Sequence, residues 1–308
     1  MVYCSTFQLA WNELKNNIVK GDILLDGNEE GADFLNKSLS TKNDISEKSY
    51  LAMVGYNKDN IVRKINKSLK EKFGANAPIV NANLKDPEDI LAYSYLNVDL
   101  QFMYKFQELT QPINFMKSKI KAFGIEKFKG GSIDNKLSNQ INILDYKNDS
   151  DFIISLKTQN SKDEIILANV EPLNTLQNTI ENINIRIKDG KKQWLNDNDT
   201  LQIPMIHLNQ NKEFTEFENK RFLNNGFEDY KISKAIQDIN FNLDNNGAEI
   251  KSDAKIEIKI TARNPNMNHI KQKHLIFNKP FLIMLKEHGK SNPYFAAWVD
   301  NTDVLINH

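Results

Sequence analysis

A single cysteine, Cys4, occurs in 308 residues. One thiol cannot close an intramolecular disulfide or build a thiolate-rich metal site, so neither a cross-linked scaffold nor a zinc centre is expected. Net charge is absent as well: 40 Lys and Arg balance 40 Asp and Glu. No global field therefore favours nucleic acid or a membrane surface as partner, and any basic patch is local. Hydrophobic residues make up 40% of the chain, yet no apolar run nears the roughly 18 residues of a membrane span. The histidines, His207, His269, His274, His288 and His308, are scattered without the spacing of a metal motif. His269 and His274 fall in a polar linker, where an exposed position is the expected reading. There is no Gly-x-Ser-x-Gly elbow, and the GGS at 130–132 lacks the Lys-Ser/Thr and helix of a phosphate loop. Cys4 has no base near it in sequence, and no carboxylate pair stands out. No catalytic residue, metal or cofactor is expected, and the chain is not read as an enzyme.

The N-terminus, MVYCSTFQLAWNEL, lacks a basic start followed by an apolar core and is not a signal peptide. It predicts a cytoplasmic chain, although a trimmed secretion signal would leave the same sequence. It reads as an amphipathic helix capped by Thr6, with Phe7, Leu9, Ala10, Trp11, Leu14 and Ile18 inward. Helical spacing recurs at 32–39, 48–56 and 59–74, the last ending in Lys-rich turns before Gly74. From about residue 91 short strands alternate with Asn-, Asp- and Gly-rich turns at 147–151, 188–192, 195–200 and 243–247. One further short helix is expected at 172–183. Trp11, Trp194 and Trp298 fit core or interface packing, and the lysines of 59–74 fit a solvated face. The abundance of Asn, Lys and Ile is the bias of an AT-rich coding sequence.

The stretch GAEIKSDAKIEIKITA, residues 247–262, is the most informative. Ala248, Ile250, Ser252, Ala254, Ile256, Ile258, Ile260 and Ala262 alternate with Glu249, Lys251, Asp253, Lys255, Glu257, Lys259 and Thr261. Side chains on a strand alternate between faces, so this is a long strand with one face for a core and one for water. Burying each isoleucine would contribute about 1.5 to 3 kcal/mol, so Ile250, Ile256, Ile258 and Ile260 together could supply on the order of 6 to 12 kcal/mol. Left uncovered, such a strand is a template for aggregation. The expectation is that it is already paired in the folded state.

The order of segments around it resembles the C-terminal third of the serpin family. Residues 229–250 are similar to a serpin strand ending in an acidic turn and Gly. Residues 277–301 are similar to the two strands that follow the reactive loop, through Asn278, Pro280, Phe281, Ser291, Pro293, Phe295, Val299 and Asn301. Residues 93–115, with Phe102 and Phe106, 141–159, with Tyr146, and 203–230, with a short helix and a Gly, resemble earlier serpin segments more loosely. The resemblance implies an α+β serpin-like fold in a single domain, 1–308. A mainly helical part (1–90) would pack on a large mixed or antiparallel β-sheet, and a smaller second sheet would complete a strand-rich part (91–308). It also implies a hinge at Gly247, Ala248, Glu249 and Ile250 within a hinge and loop segment over 247–274.

Two functions follow from the resemblance. In an inhibitory serpin a protease cuts the loop, and the freed hinge enters the large sheet as a new central strand and crushes the trapped enzyme. Such hinges are runs of small residues. This chain departs at Ile250, Lys251 and Asp253, and Ile250 would point inward and slow the opening of the sheet. It is also shorter than ordinary serpins. The favoured expectation is a non-inhibitory serpin-like binding protein with 247–262 built into a sheet. The alternative is a suicide inhibitor of a serine or cysteine protease with its bait bond near Ala262, Arg263 and Asn264. The partner is a protease or another protein in either case.

Overall fold

The computed structural model describes residues 2–38, 40–98, 100–126, 135–160, 162–246, 272–290 and 292–308. β1 (Val2–Cys4) runs directly into α1 (Ser5–Glu13), which continues as a π-helical turn over Leu14–Val19. Cys4, extended at φ −141°, holds the cap position that Thr6 was expected to take, and makes no side-chain cap bond there. Phe7, Leu9, Ala10, Trp11 and Leu14 are buried as their spacing predicts. α2 (Glu29–Asn36) follows. Residues 48–56 carry helical spacing, yet form β2 (Tyr50–Tyr56). Antiparallel pairing with β3 (Ile90–Val98), from Tyr50↔Leu96 to Tyr56↔Ile90, decides the matter, since tertiary pairing outweighs a weak local period. The first 90 residues are thus less helical than the sequence suggests. Between these strands α3 (Ile61–Phe73) ends at Gly74, whose φ of 80° suits the glycine that stops a helix.

The strand-rich part begins with β4 (Gln107–Glu108), β5 (Ile113–Phe115), β6 (Ser118–Ile120) and β7 (Ala122–Ile125). α4 (Asn135–Asn139), β8 (Ile141–Asn148), β9 (Asp151–Lys157) and β10 (Asp163–Asn169) come next. α5 (Leu176–Asp189) starts four residues later than the sequence suggests and runs longer, its Thr175 hydroxyl accepting the Asn178 N–H at 3.1 Å. β11 (Thr200–Pro204), β12 (Ile206–Glu213) and β13 (Ile232–Leu243) follow. The short helix expected before β13 is replaced by turns over 215–229, with Gly226 at φ 83°. β14 (His274–Ile276), β15 (Phe281–Glu287) and β16 (Phe295–Val299) complete the chain.

These strands form a six-stranded antiparallel sheet, β1-β16-β15-β10-β9-β8, and two four-stranded sheets, β14-β11-β7-β4 and β12-β13-β3-β2. β5 and β6 form a hairpin apart. The main core lies among the three large sheets, where Phe102, Phe106, Phe123, Phe152, Phe241, Phe277, Phe281 and Phe295 are buried in one cluster. Phe102 and Phe106, singled out in the sequence, meet edge to face at 4.9 Å. α5 covers the far side of the six-stranded sheet through Ile180 and Ile183.

Gly124 is the position where the second sheet tolerates no side chain. Its φ is 152°, and a Cβ there would stand 1.9 Å from the Leu201 carbonyl oxygen of β11. Gly124→Ala is expected to part β7 from β11 and cost at least about 3 kcal/mol, read from denaturant unfolding.

Candidate functional site

β3 and β13 lie side by side at the centre of their sheet and run parallel, from Ile232↔Ile90 to Phe241↔Val98. A parallel pair is slightly less stable per residue than an antiparallel one. Side chains along this seam alternate between two helices. On the α1 face, Gln237 of β13 donates from Nε2 to Thr6 Oγ1 at 2.9 Å and to the Cys4 carbonyl at 3.4 Å. The hydroxyls of Ser5 and of Ser94, Gln237's neighbour across the seam, are buried and have no hydrogen-bond partner among the described residues. Burial pushes the Cys4 thiol up to about 11, so it is an inert thiol in this state.

The α3 face is stitched by side chains. Tyr93 of β3 donates its hydroxyl to Asp238 Oδ2 of β13 at 2.8 Å, and Asn211 of β12 donates to Asp238 Oδ1 at 2.6 Å. Burial, then the Asp238 charge, holds the Tyr93 phenol far above its usual range, so it stays a donor. Over this face α3, resting on β2 and β3, joins Ile61, Ile65 and Leu69 to one buried cluster with Leu51 of β2, Leu91, Tyr93 and Tyr95 of β3 and Ile236 of β13.

At the foot of the seam Ser233 donates to Asp89 Oδ1 at 2.6 Å. Burial pushes the Asp89 carboxyl up, but bonds from Ser233 and from the Asp86 and Lys85 N–H groups outweigh it, and the net position is below the usual value. With the folded value depressed, this stabilisation is fully present above the ordinary carboxylate range and is lost as pH falls through the lower folded value. Melting temperature against pH should show this acid loss in the wild type and a shallower loss in Asp89→Asn.

Both ends of the segment between β13 and β14 are gripped. At the first, the Asn245 carbonyl, on a buried residue, accepts the Phe106 N–H at 2.9 Å. At the second, Lys273 lies 3.4 Å from Asp199 Oδ2, with side-chain exposures of 8% and 0%. The Lys273 N–H also donates to Asp199 Oδ1 at 2.8 Å, and Lys273 Nζ sits 5.7 Å from the Tyr146 ring centre. Asp149 accepts from the Tyr146 hydroxyl at 2.6 Å and from the His274 N–H at 3.0 Å.

The hinge Gly247, Ala248, Glu249 and Ile250, the isoleucine ladder, and the bait candidates Ala262, Arg263 and Asn264 lie outside the described residues. The direct bonding of β3 to β13 leaves no strand between those two. Tyr93, Asp238, Lys273 and Asp199 were not foreseen, although an Asp in the apolar stretch of β13 and a Lys abutting HLIF were visible signals. Trp194, expected in core or interface packing, is 59% exposed and so lies outside the core. Among the described residues no group of His, Cys, Asp and Glu could hold a metal ion, and no helix is long and apolar enough to cross a membrane.

Three sheets in this order, with the central parallel pair leading into the 247–271 segment, define the serpin fold. No family model matches the sequence, and no curated protein matches it in sequence. In structure the chain is similar to Tengpin, a thermophilic serpin in the native state, with TM-score 0.60 and 12% identity over 98% of this chain and 88% of that one. It is similar to mouse protein Z-dependent protease inhibitor at TM-score 0.57 and 12% identity, over 98% and 90% of the two chains. Thyroxine-binding globulin, in complex with thyroxine, gives 0.54 and 12% over 98% and 92%. The chain carries the serpin fold in a divergent sequence.

Proposed function

We propose that this chain is a non-inhibitory serpin-fold protein that presents residues 247–271 to a protein partner and acts by binding, not by catalysis. What supports this reading is how firmly the seam is stitched, since an inhibitor's sheet is also shut before its loop is cut. A strand entering between β3 and β13 must part their backbone bonds, break the Tyr93–Asp238 and Ser233–Asp89 bonds, and open the apolar cluster that side chains of α3, β3 and β13 share. The hinge meant to do this carries Ile250, Lys251 and Asp253 where small residues enter fastest. If 247–262 is paired as its alternation predicts, it pairs elsewhere than between β3 and β13, which bond directly to each other, and the partner reads the remainder of the segment.

The inhibitor reading, with its bait bond near Arg263, is favoured by the parallel sense of β3 and β13. A segment doubling back from β13 would run antiparallel to both strands, replacing one parallel pairing by two antiparallel ones. The drive exists, so the barrier decides. The test is incubation with trypsin-like and subtilisin-like proteases, followed by denaturing electrophoresis and melting of the cut product. Clean cutting with no stability gain supports the binding reading, and an SDS-stable complex overturns it.

A further inference from the structure

We propose that a cavity beside α1 binds a small neutral aromatic molecule carrying a hydroxyl group, and that this occupant braces the closed seam. The cavity holds about 300 Å³ and lies where β1, α1, α2 and β13 meet the turn after β12. That is the small end of the range for ligand pockets. Phe7, Phe34, Leu35, Phe214 and Phe217 are among its walls, and Gln237 of the seam also lines it.

Gln237 is 3% exposed, and its bonding decides what the cavity accepts. Its Nε2 is spent on the Thr6 hydroxyl at 2.9 Å and the Cys4 carbonyl at 3.4 Å. A carbonyl can only accept, so the amide nitrogen faces Cys4 and the oxygen turns away. Oε1 accepts no hydrogen bond from any described residue, and unlike the Ser5 and Ser94 hydroxyls it is not sealed from open space. A buried acceptor left unmet is costly, so a ligand that donates to it removes a penalty.

The walls set the rest of the ligand. Phe7 stacks on Phe214 with ring centres 3.8 Å apart and leans on Phe217 at 5.9 Å, so a flat ring extends an existing aromatic stack. Lys212 and Glu216 line the cavity with opposite charges, so neither sign is favoured. A carboxylate would turn acceptor against acceptor at Oε1, and an ammonium would lose its hydration among phenyl groups. A neutral aryl hydroxyl meets both demands. The occupant touches α1, whose Thr6 holds Gln237, and β13, one strand of the seam. Filling the cavity ties α1 to β13, so binding favours the closed seam over the parted one, whether or not the chain traps proteases.

Calorimetric titration of the whole protein with 2-naphthol tests the proposal. 2-Methoxynaphthalene keeps the rings and lacks the donor, and 2-naphthoate puts a carboxylate in its place. Each is expected to bind about tenfold more weakly than 2-naphthol. Gln237→Met should remove the advantage of 2-naphthol over its ether while leaving the ether's own affinity unchanged. Phe214→Ala, which takes away a half-buried wall without touching Gln237, should weaken both about tenfold. Ile185→Ala alters the neighbouring cavity of about 520 Å³ against α5 and should change neither. With 2-naphthol at about a hundred times its Kd, amide exchange along β3 and β13 should slow about a hundredfold. The comparison of the two ligands on the wild type decides even where Gln237→Met does not fold. Equal affinities for 2-naphthol and its ether would overturn the site. So would binding that ignores Phe214→Ala or is lost in Ile185→Ala, and so would unchanged exchange at the seam.

Discussion

Cleavage after Arg263 is expected to leave the melting temperature of the wild-type chain within about 2 °C of its starting value. The same cut in a Tyr93→Phe, Ile250→Ala double variant is expected to raise it by roughly 10 °C or more. The first substitution removes the hydroxyl that ties β3 to Asp238 without changing ring volume. The second gives the hinge a small inward residue. With both obstacles eased, Ile256, Ile258 and Ile260 would bury on insertion, each contributing about 1.5 to 3 kcal/mol. For a chain of this size each kcal/mol is worth about 2 °C, so their sum gives the stated rise. Melting curves of intact and nicked protein decide the outcome. A comparable gain in the nicked wild type would mean that the seam opens unaided, and the chain would then be an inhibitor.

Lys273→Met is expected to destabilise the protein by about 3 to 5 kcal/mol, because it strands a buried carboxylate. Asp199 is 0% exposed and faces the Lys273 ammonium at 3.4 Å. Its other bonds come from the Asn196 and Lys273 backbone N–H groups at 2.9 and 2.8 Å and the Asn196 side-chain amide at 3.4 Å, and these neutral donors do not cancel its charge. A Lys273→Met, Asp199→Asn pair should recover most of the loss, since no unpaired charge then remains. Urea unfolding of the four chains of the cycle measures the coupling. The effect should appear locally as faster amide exchange in β14, which among the described residues joins its sheet only by parallel pairing from Thr200↔His274 to Gln202↔Ile276. A loss below about 1 kcal/mol would show that water already screens the pair.

The C-terminal third was legible through the order of its segments, which a family resemblance can match without a local period. The resemblance to serpin segments over 229–250 and 277–301 placed β13 and β15, and earlier in the chain the Asn-Asp turn marked the β8–β9 hairpin. β2 was misread because a seven-residue segment with Tyr50, Leu51, Val54 and Tyr56 satisfies both periods, and its partner β3 lies a whole helix downstream. Thr6 looked like a cap because helix ends favour hydroxyls, whereas here its partner is Gln237, far along the chain. The stitching of the seam was illegible for the same reason. Whether Asp238 faces solvent or Tyr93 depends on which strands adjoin, and pairing partners are not written in a local period.

The placement of β15 has one more consequence. It sits inside the six-stranded sheet, bonded to β10 on one side and β16 on the other, and Phe281 to Leu285 are buried along it. A nick between Asn246 and Lys273 would therefore leave a two-piece particle in which the short carboxyl-terminal fragment completes the core of the long one. Size-exclusion profiles would not betray the damage. A proteolysed population would persist as an intact-looking heterodimer, separable only when the whole body unfolds.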